Sequence, residues 1–184
     1  MRADPALATD RMSLEGQTMP QFTRFTTERD QDLVVFLIGM RVNRPAAVRQ
    51  WLPVLASMPP MVRELQADPG SGFLGASSWL GGRQVMLVQY WDSYEQLVAY
   101  ATDTGKKHRP AWNKFNQRRE AAAQAVGVFH ETYVVAPDRM ETIYAAMQPI
   151  LLGQAIGAAP VSRSRNSSRE RIRGPRPATS GPGA

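Results

Sequence analysis

The sequence predicts an α+β domain of ferredoxin-like order, β-α-β-β-α-β, with helices on one face of an antiparallel sheet. Three observations predict it. Two long runs rich in β-branched and aromatic residues, "DLVVFLIGMRV" (32–42) and "VGVFHETYVV" (126–135), stand at either end of the domain. Two shorter strand-like runs between them meet at Gly81-Gly82, a hairpin signal. Apolar residues at helical spacing follow the first strand and the hairpin.

Each element has its own cue. Residues 1–20 show no sustained period and are expected to form a flexible arm, with the domain proper over 21–136. In 32–42, apolar residues of both parities suggest a strand buried on both faces. Asn43, Arg44 and Pro45 turn the chain into a helix, where Val48, Trp51, Leu52, Leu55 and Met58 recur on one side. Pro53 should bend that helix, and Pro59-Pro60 should break it before a short second piece, "MVRELQAD". Asp68-Pro69-Gly70 is a stop. "GFLGASSWL" (72–80) is a strand thinned by glycine and serine, and "RQVMLVQYW" (83–91) is a stronger one. Asp92 and Glu95 have capping-box spacing at the head of "DSYEQLVAYATD". A further helix is expected over "HRPAWNKFNQRREAAAQA", with Trp112, Phe115 and Asn116 on one side. After the final strand, 137–161 is apolar and partly helical, an arm for the domain or for a second subunit.

Composition excludes several classes of function. With no cysteine among 184 residues, there is no disulfide, thiolate nucleophile or iron–sulfur cluster. The longest apolar run, 33–40, is far shorter than the roughly 20 residues that cross a bilayer. The first residues lack a basic start followed by an apolar core, so a cytoplasmic location is expected. The charge of +6 is concentrated at one end: residues 162–184 hold six arginines and one acid, Glu170, a net of +5. That segment of arginine, serine, proline and glycine is expected to be a disordered tail, because it cannot bury enough surface to offset its ordering entropy. Nucleic acid would be met by this tail alone. No glycine-rich phosphate loop, Ser–His–Asp set or metal-ligand spacing is present.

The chemistry-bearing candidates are few. His108, His130 and Glu131 are the candidate catalytic groups. His108 opens the helix after Gly105, where a neutral imidazole could deprotonate a phenol or enol, although Lys106, Lys107 and Arg109 also mark a solvated surface. His130 and Glu131 are neighbours in a strand, so their side chains point to opposite faces and cannot form a dyad. One should face the helix-covered pocket and the other the opposite side. A structural hydrogen bond or ion pair is the bland alternative for each. Trp112, Asn116, Tyr100, Tyr90 and Arg41 are the candidate substrate contacts, around an apolar pocket for a small hydrophobic or aromatic ligand. One layer of helices leaves the second sheet face apolar and uncovered, and a second copy of the same sheet is the simplest cover, which predicts a homodimer.

The segments "VVFLIGMRVNR", "WLPVLASMPPMVRELQADP", "MLVQYWDSYEQLVAYA", "HRPAWNKFN" and "VGVFHETYVV", in order over about residues 21–153, resemble a bacterial and fungal family of monooxygenase-like proteins related to a fumagillin-pathway monooxygenase. The family lies in the dimeric α+β barrel superfamily, with antibiotic-biosynthesis and haem-degrading monooxygenases and, more distantly, aldoxime dehydratases. The resemblance implies a two-sheet dimer and oxidation of a small aromatic or polyketide-like compound. The mechanism would need either no cofactor or haem, which His108 would ligate, since Trp91, Tyr100 and His108 fall in the order seen in haem-degrading relatives. A non-catalytic dimeric ligand-binding module is the alternative. After the last strand the family carries Asn-Met-Pro, where this chain reads "YAAMQPILLG" (144–153).

Overall fold

The computed structural model describes residues 23–103 and 124–172. In chain order the elements are β1 (Arg24–Thr26), β2 (Leu33–Val42), α1 (Val48–Gln66), β3 (Phe73–Gly81), β4 (Gln84–Trp91), α2 (Tyr94–Thr102), β5 (Val126–Val135), β6 (Tyr144–Ala145), α3 (Leu152–Ile156), β7 (Ala159–Pro160) and α4 (Ser168–Ile172). The helix expected from His108 onward lies outside the described residues, as does the 1–20 arm.

The main sheet has the order β3-β4-β2-β5, antiparallel throughout, which is the ferredoxin-like arrangement. β2 occupies the interior beside β4 and β5. Directly opposed residues share a face, so the pairing assigns every side chain. Val34, Phe36, Ile38 and Met40 face the helices: Val34 packs with Leu65 and Leu97, and Met40 with Trp51, Val54 and Leu55. Leu33 and Val35 face the other side, where Tyr90 and Leu152 meet them.

Trp91 is fully buried at the heart of the helix side. Its ring meets Phe73 edge-on at 5.4 Å and Tyr100 at 5.7 Å, and its Nε1–H donates to Gln89 Oε1 at 3.1 Å. The indole thus brings a large apolar surface into the core while its one polar atom keeps a partner.

Three expectations are corrected. α1 runs unbroken through Pro53, Pro59 and Pro60. Each interior proline costs about 3 kcal/mol through a lost ladder bond and a ring clash. The apolar side of α1 outweighs this, since Trp51, Val54 and Leu55 pack at one end, Leu65 packs at the other, and Met58, Met61 and Val62 lie between. Buried side chains of this size contribute about 1.5–3 kcal/mol each when fully covered. The cap of α2 is Ser93, one residue later than expected: its Oγ accepts from Gln96 N at 3.2 Å. Asp92 instead pairs with Arg29 at 2.8 Å. Lastly, β5, whose run of β-branched and aromatic residues reads as a buried strand, is buried only at its start. As the outer strand, paired with β2 alone, it leaves residues 128–134 exposed.

The C-terminal segment folds onto its own chain. Met140, Leu151, Leu152, Ala155 and Ile156 cover part of the non-helical sheet face around Leu33 and Tyr90. β1 joins it in a small sheet of order β6-β1-β7, so the residues before β2 belong with this segment rather than with the main sheet. Gly153 is required here: its N–H donates to Tyr144 Oη at 2.8 Å, and a Cβ would stand 2.7 Å from the Tyr144 ring. Order continues into the arginine-rich stretch expected as disordered. Arg171 is 7% exposed and donates from Nε to Glu141 Oε2 at 2.7 Å and from Nη1 to Asn166 O at 2.9 Å. Its specific carboxylate and carbonyl partners offset the entropy that the composition alone would leave unmet.

Among the described residues, no helix is long and apolar enough to cross a membrane. Arg171→Ala removes the partner of a largely buried carboxylate, so urea unfolding should show a loss of about 1–3 kcal/mol. Exposed Arg169→Ala should stay within about 0.5 kcal/mol of the parent.

Candidate functional site

A cavity of about 120 Å³ lies between the helix side of the sheet and α1 and α2. Its floor is Phe36, Ile38, Gln89 and Trp91, its α1 wall Met58, Met61, Val62 and Leu65, and its α2 wall Leu97, Tyr100 and Ala101. Strand periodicity supplies the floor, because alternate residues of β2 and the residues opposite them in β4 point the same way. Helical periodicity supplies the walls: 58, 61, 62 and 65 recur at three and four residues.

Among the described residues no charged side chain lines the cavity. Its polar groups are the Gln89 carboxamide, whose oxygen accepts from Trp91, and the Tyr100 phenol. Burial raises the Tyr100 pKa to about 12, with the nearby Glu64 carboxylate adding to the shift. Tyr100 is therefore a neutral hydroxyl donor across the whole physiological range.

The register decides between the two strand neighbours. His130 lies opposite Ile38 and Glu131 opposite Leu37, so His130 is on the helix side and Glu131 on the other. The His130 ring is 5.9 Å from that of Phe36, which forms part of the cavity floor. His130 itself is exposed and stands at the rim. Glu131 accepts a short hydrogen bond from Tyr133 Oη on the far face. That bond, reinforced by the carboxylate charge, raises the Tyr133 pKa.

The remaining candidates separate. Tyr100 reaches the cavity. Tyr90 does not: it lies opposite Val35 on the far face, packed under Leu152, and burial raises its pKa. Arg41 is exposed at the end of β2 on the same far face. His108, Trp112 and Asn116 lie outside the described residues. Gln89 and Met61 were not singled out from the sequence, and Met58 was read there only as part of the apolar side of α1. Gln89 had a visible signal, a buried amide within an otherwise apolar strand, while the methionines looked like ordinary core. Among the described residues no group of three or more His, Cys, Asp or Glu is placed to hold a metal ion.

A ferredoxin-like sheet whose helix side encloses an uncharged cavity is the frame on which comparison with known proteins rests. Residues 33–152 match the family described as monooxygenase af470-like, and the chain belongs to that family. Monooxygenase af470 of Aspergillus fumigatus is 25% identical over 148 residues, which cover 75% of this chain and 50% of the relative. The chain thus spans about half the length of that relative. Among solved structures, SnoaB, a cofactor-independent oxygenase from Streptomyces nogalater, matches with TM-score 0.36 and 12% identity over 55% of this chain and 91% of that chain. A dimeric protein of ferredoxin-like fold from Bacteroides fragilis matches with TM-score 0.37 and 16% identity, over 55% and 96%.

The raised Tyr100 pKa has a sign. An unfolded tyrosine loses its proton near pH 10, whereas the folded one holds it to about 12. Its contribution is complete below pH 10 and is lost as pH rises through that window. In alkaline urea titrations, Tyr100→Phe should show a shallower fall of stability between pH 10 and 12 than the parent.

Proposed function

We propose that the protein is a monooxygenase-like enzyme that holds a neutral, flat ring of a phenolic or enolisable compound in the cavity between sheet and helices. The observation that carries this reading is a cavity lined, among the described residues, by apolar side chains with the Gln89 amide and the Tyr100 phenol as its polar groups. A cavity of about 120 Å³ is close to the roughly 150 Å³ that admits a benzene ring. Phe36, Trp91 and the two methionines offer aromatic and sulfur contacts to such a ring.

The proposed chemistry needs only acid–base groups. His130 at the rim takes the proton of an acidic hydroxyl or activated methylene, and Tyr100 donates a hydrogen bond to the oxyanion. The electron-rich carbon adds dioxygen, the imidazolium returns its proton to give a hydroperoxide, and loss of water leaves a carbonyl. His108 is the second candidate base. Haem fits the described residues poorly, since the cavity is well below the roughly 300 Å³ of ordinary ligand pockets and His130 stands outside its wall.

The far face supports a homodimer through sheet-to-sheet packing. Leu37, Met86 and Val88 lie on it, as do Phe129 and Tyr133, which are 38% and 49% exposed. Gly39 is small because the Phe129 ring lies over it, within 2.8 Å of where a Cβ would be. This makes a flat apolar strip of the kind that a second sheet covers.

Oxygen uptake with a panel of single-ring phenols and cyclic enolisable ketones tests the chemistry. His130→Ala should lower kcat/KM by about 10²–10⁴ and Tyr100→Phe by about tenfold or more. A ring that quenches tryptophan fluorescence without any oxygen uptake would replace the enzyme with a binding module. A Soret band on adding haemin, lost in His108→Ala, would instead establish haem. For the dimer, Phe129→Glu should halve the mass measured by light scattering.

A further inference from the structure

The outer edge of β3 is a second interaction surface, independent of the sheet-to-sheet contact. Among the described residues β3 pairs with β4 on one side only, so its other edge presents backbone donors and acceptors. Protected edges usually carry charge, proline or a cover. Over nine residues, Phe73–Gly81 has no charge and no proline, and it ends on Trp79 and Leu80, 47% and 80% exposed.

The strand is complementary to itself. Ser77 is its midpoint, with Gly75 two residues before and Trp79 two residues after. Gly75 is opposite Tyr90 and Trp79 opposite Met86, so both are on the far face. Beside Gly75 lies an opening of about 190 Å³ bordered by Leu74, Gly75, Ser77, Leu151, Gln154 and Ala155. Leu151 has a positive φ there, 54°. A large exposed indole and a glycine that borders the opening, with Ala155 packed against it, therefore stand on one strand at equal distances from its centre.

We propose that β3 pairs antiparallel with β3 of a second copy about a two-fold axis through Ser77. In that register Ser77 faces Ser77 of the second copy, and Trp79 of each copy lies across from Gly75 of the other, directed at the opening beside Ala155. The contact is isologous, as two-fold symmetry requires, and each knob fills a socket. Charge agrees with it. The neutral strand brings no like charges together, and antiparallel pairing sets the turn carrying Asp68 near the hairpin carrying Arg83. Because the axis is perpendicular to the sheet, the pairing continues the sheet sideways and leaves the strip around Phe129 free for its own contact.

The absence of cysteine permits a direct test on the full chain. Opposed residues of an antiparallel pair have Cα atoms about 4.5–5.5 Å apart, within disulfide reach. Ser77→Cys under mild oxidation should run at twice the chain mass on a non-reducing gel. Ser78→Cys should stay monomeric on that gel, because the two copies of that position are about 8 Å apart in this register. Ser78→Lys, on the helix side and away from the far face, should halve the native mass while circular dichroism is unchanged. Equal cross-linking of the two cysteine variants, or an unchanged mass for Ser78→Lys, overturns the proposal.

Discussion

The antiparallel register of β2 is the constraint on which the rest depends. Ile38 opposite His130 and Leu37 opposite Glu131 settle, in one step of the backbone, which group shares a side with the cavity. A slip of one residue would exchange every side chain between the faces. It would place Val34 and Met40 away from α1 and Leu33 away from the C-terminal segment, and all three core clusters would be lost. Burial on both sides therefore holds the register, and the register fixes which side of the sheet His130 and Glu131 occupy.

The two faces have different physical characters. The helix side is sealed by a bulky indole with its N–H satisfied within the strand, and α1 crosses two hydrophobic clusters without yielding at its prolines. What remains between them is a small uncharged space, suited to desolvating a ring and strengthening any hydrogen bond made inside it. The far face is covered in part by the chain's own segment around Leu152, and elsewhere presents aromatic side chains to solvent. One face thus holds a small cavity and the other an exposed apolar strip, the features on which the proposed ligand and dimer rest.

Element order and fold class were legible because two-residue and 3.6-residue periods are strong signals over these lengths. The opposition of His130 and Glu131 followed from the same two-residue period, but their assignment to faces did not, since both parities of β2 are apolar. The continuity of α1 was not legible, because a local rule about proline was overruled by packing at both ends of the helix. Composition misjudged residues 162–172 for a related reason: Arg171 finds Glu141, thirty residues earlier in the chain, and no local window contains that pair. Tyr90 and Tyr100 looked equivalent as aromatic candidates, and only the strand pairing and the helix position separated them.

The division of the sheet into a ligand side and a protein side can be measured in one spectrum. With methionine methyl groups labelled with ¹³C and assigned by single Met→Leu substitutions, a phenol titration reports both faces at once. Met58 and Met61 line the cavity, while Met86 lies on the opposite face. The account predicts saturable shifts of the Met58 and Met61 methyls with Met86 unmoved. Shifts of Met86 with Met58 and Met61 unchanged would contradict it.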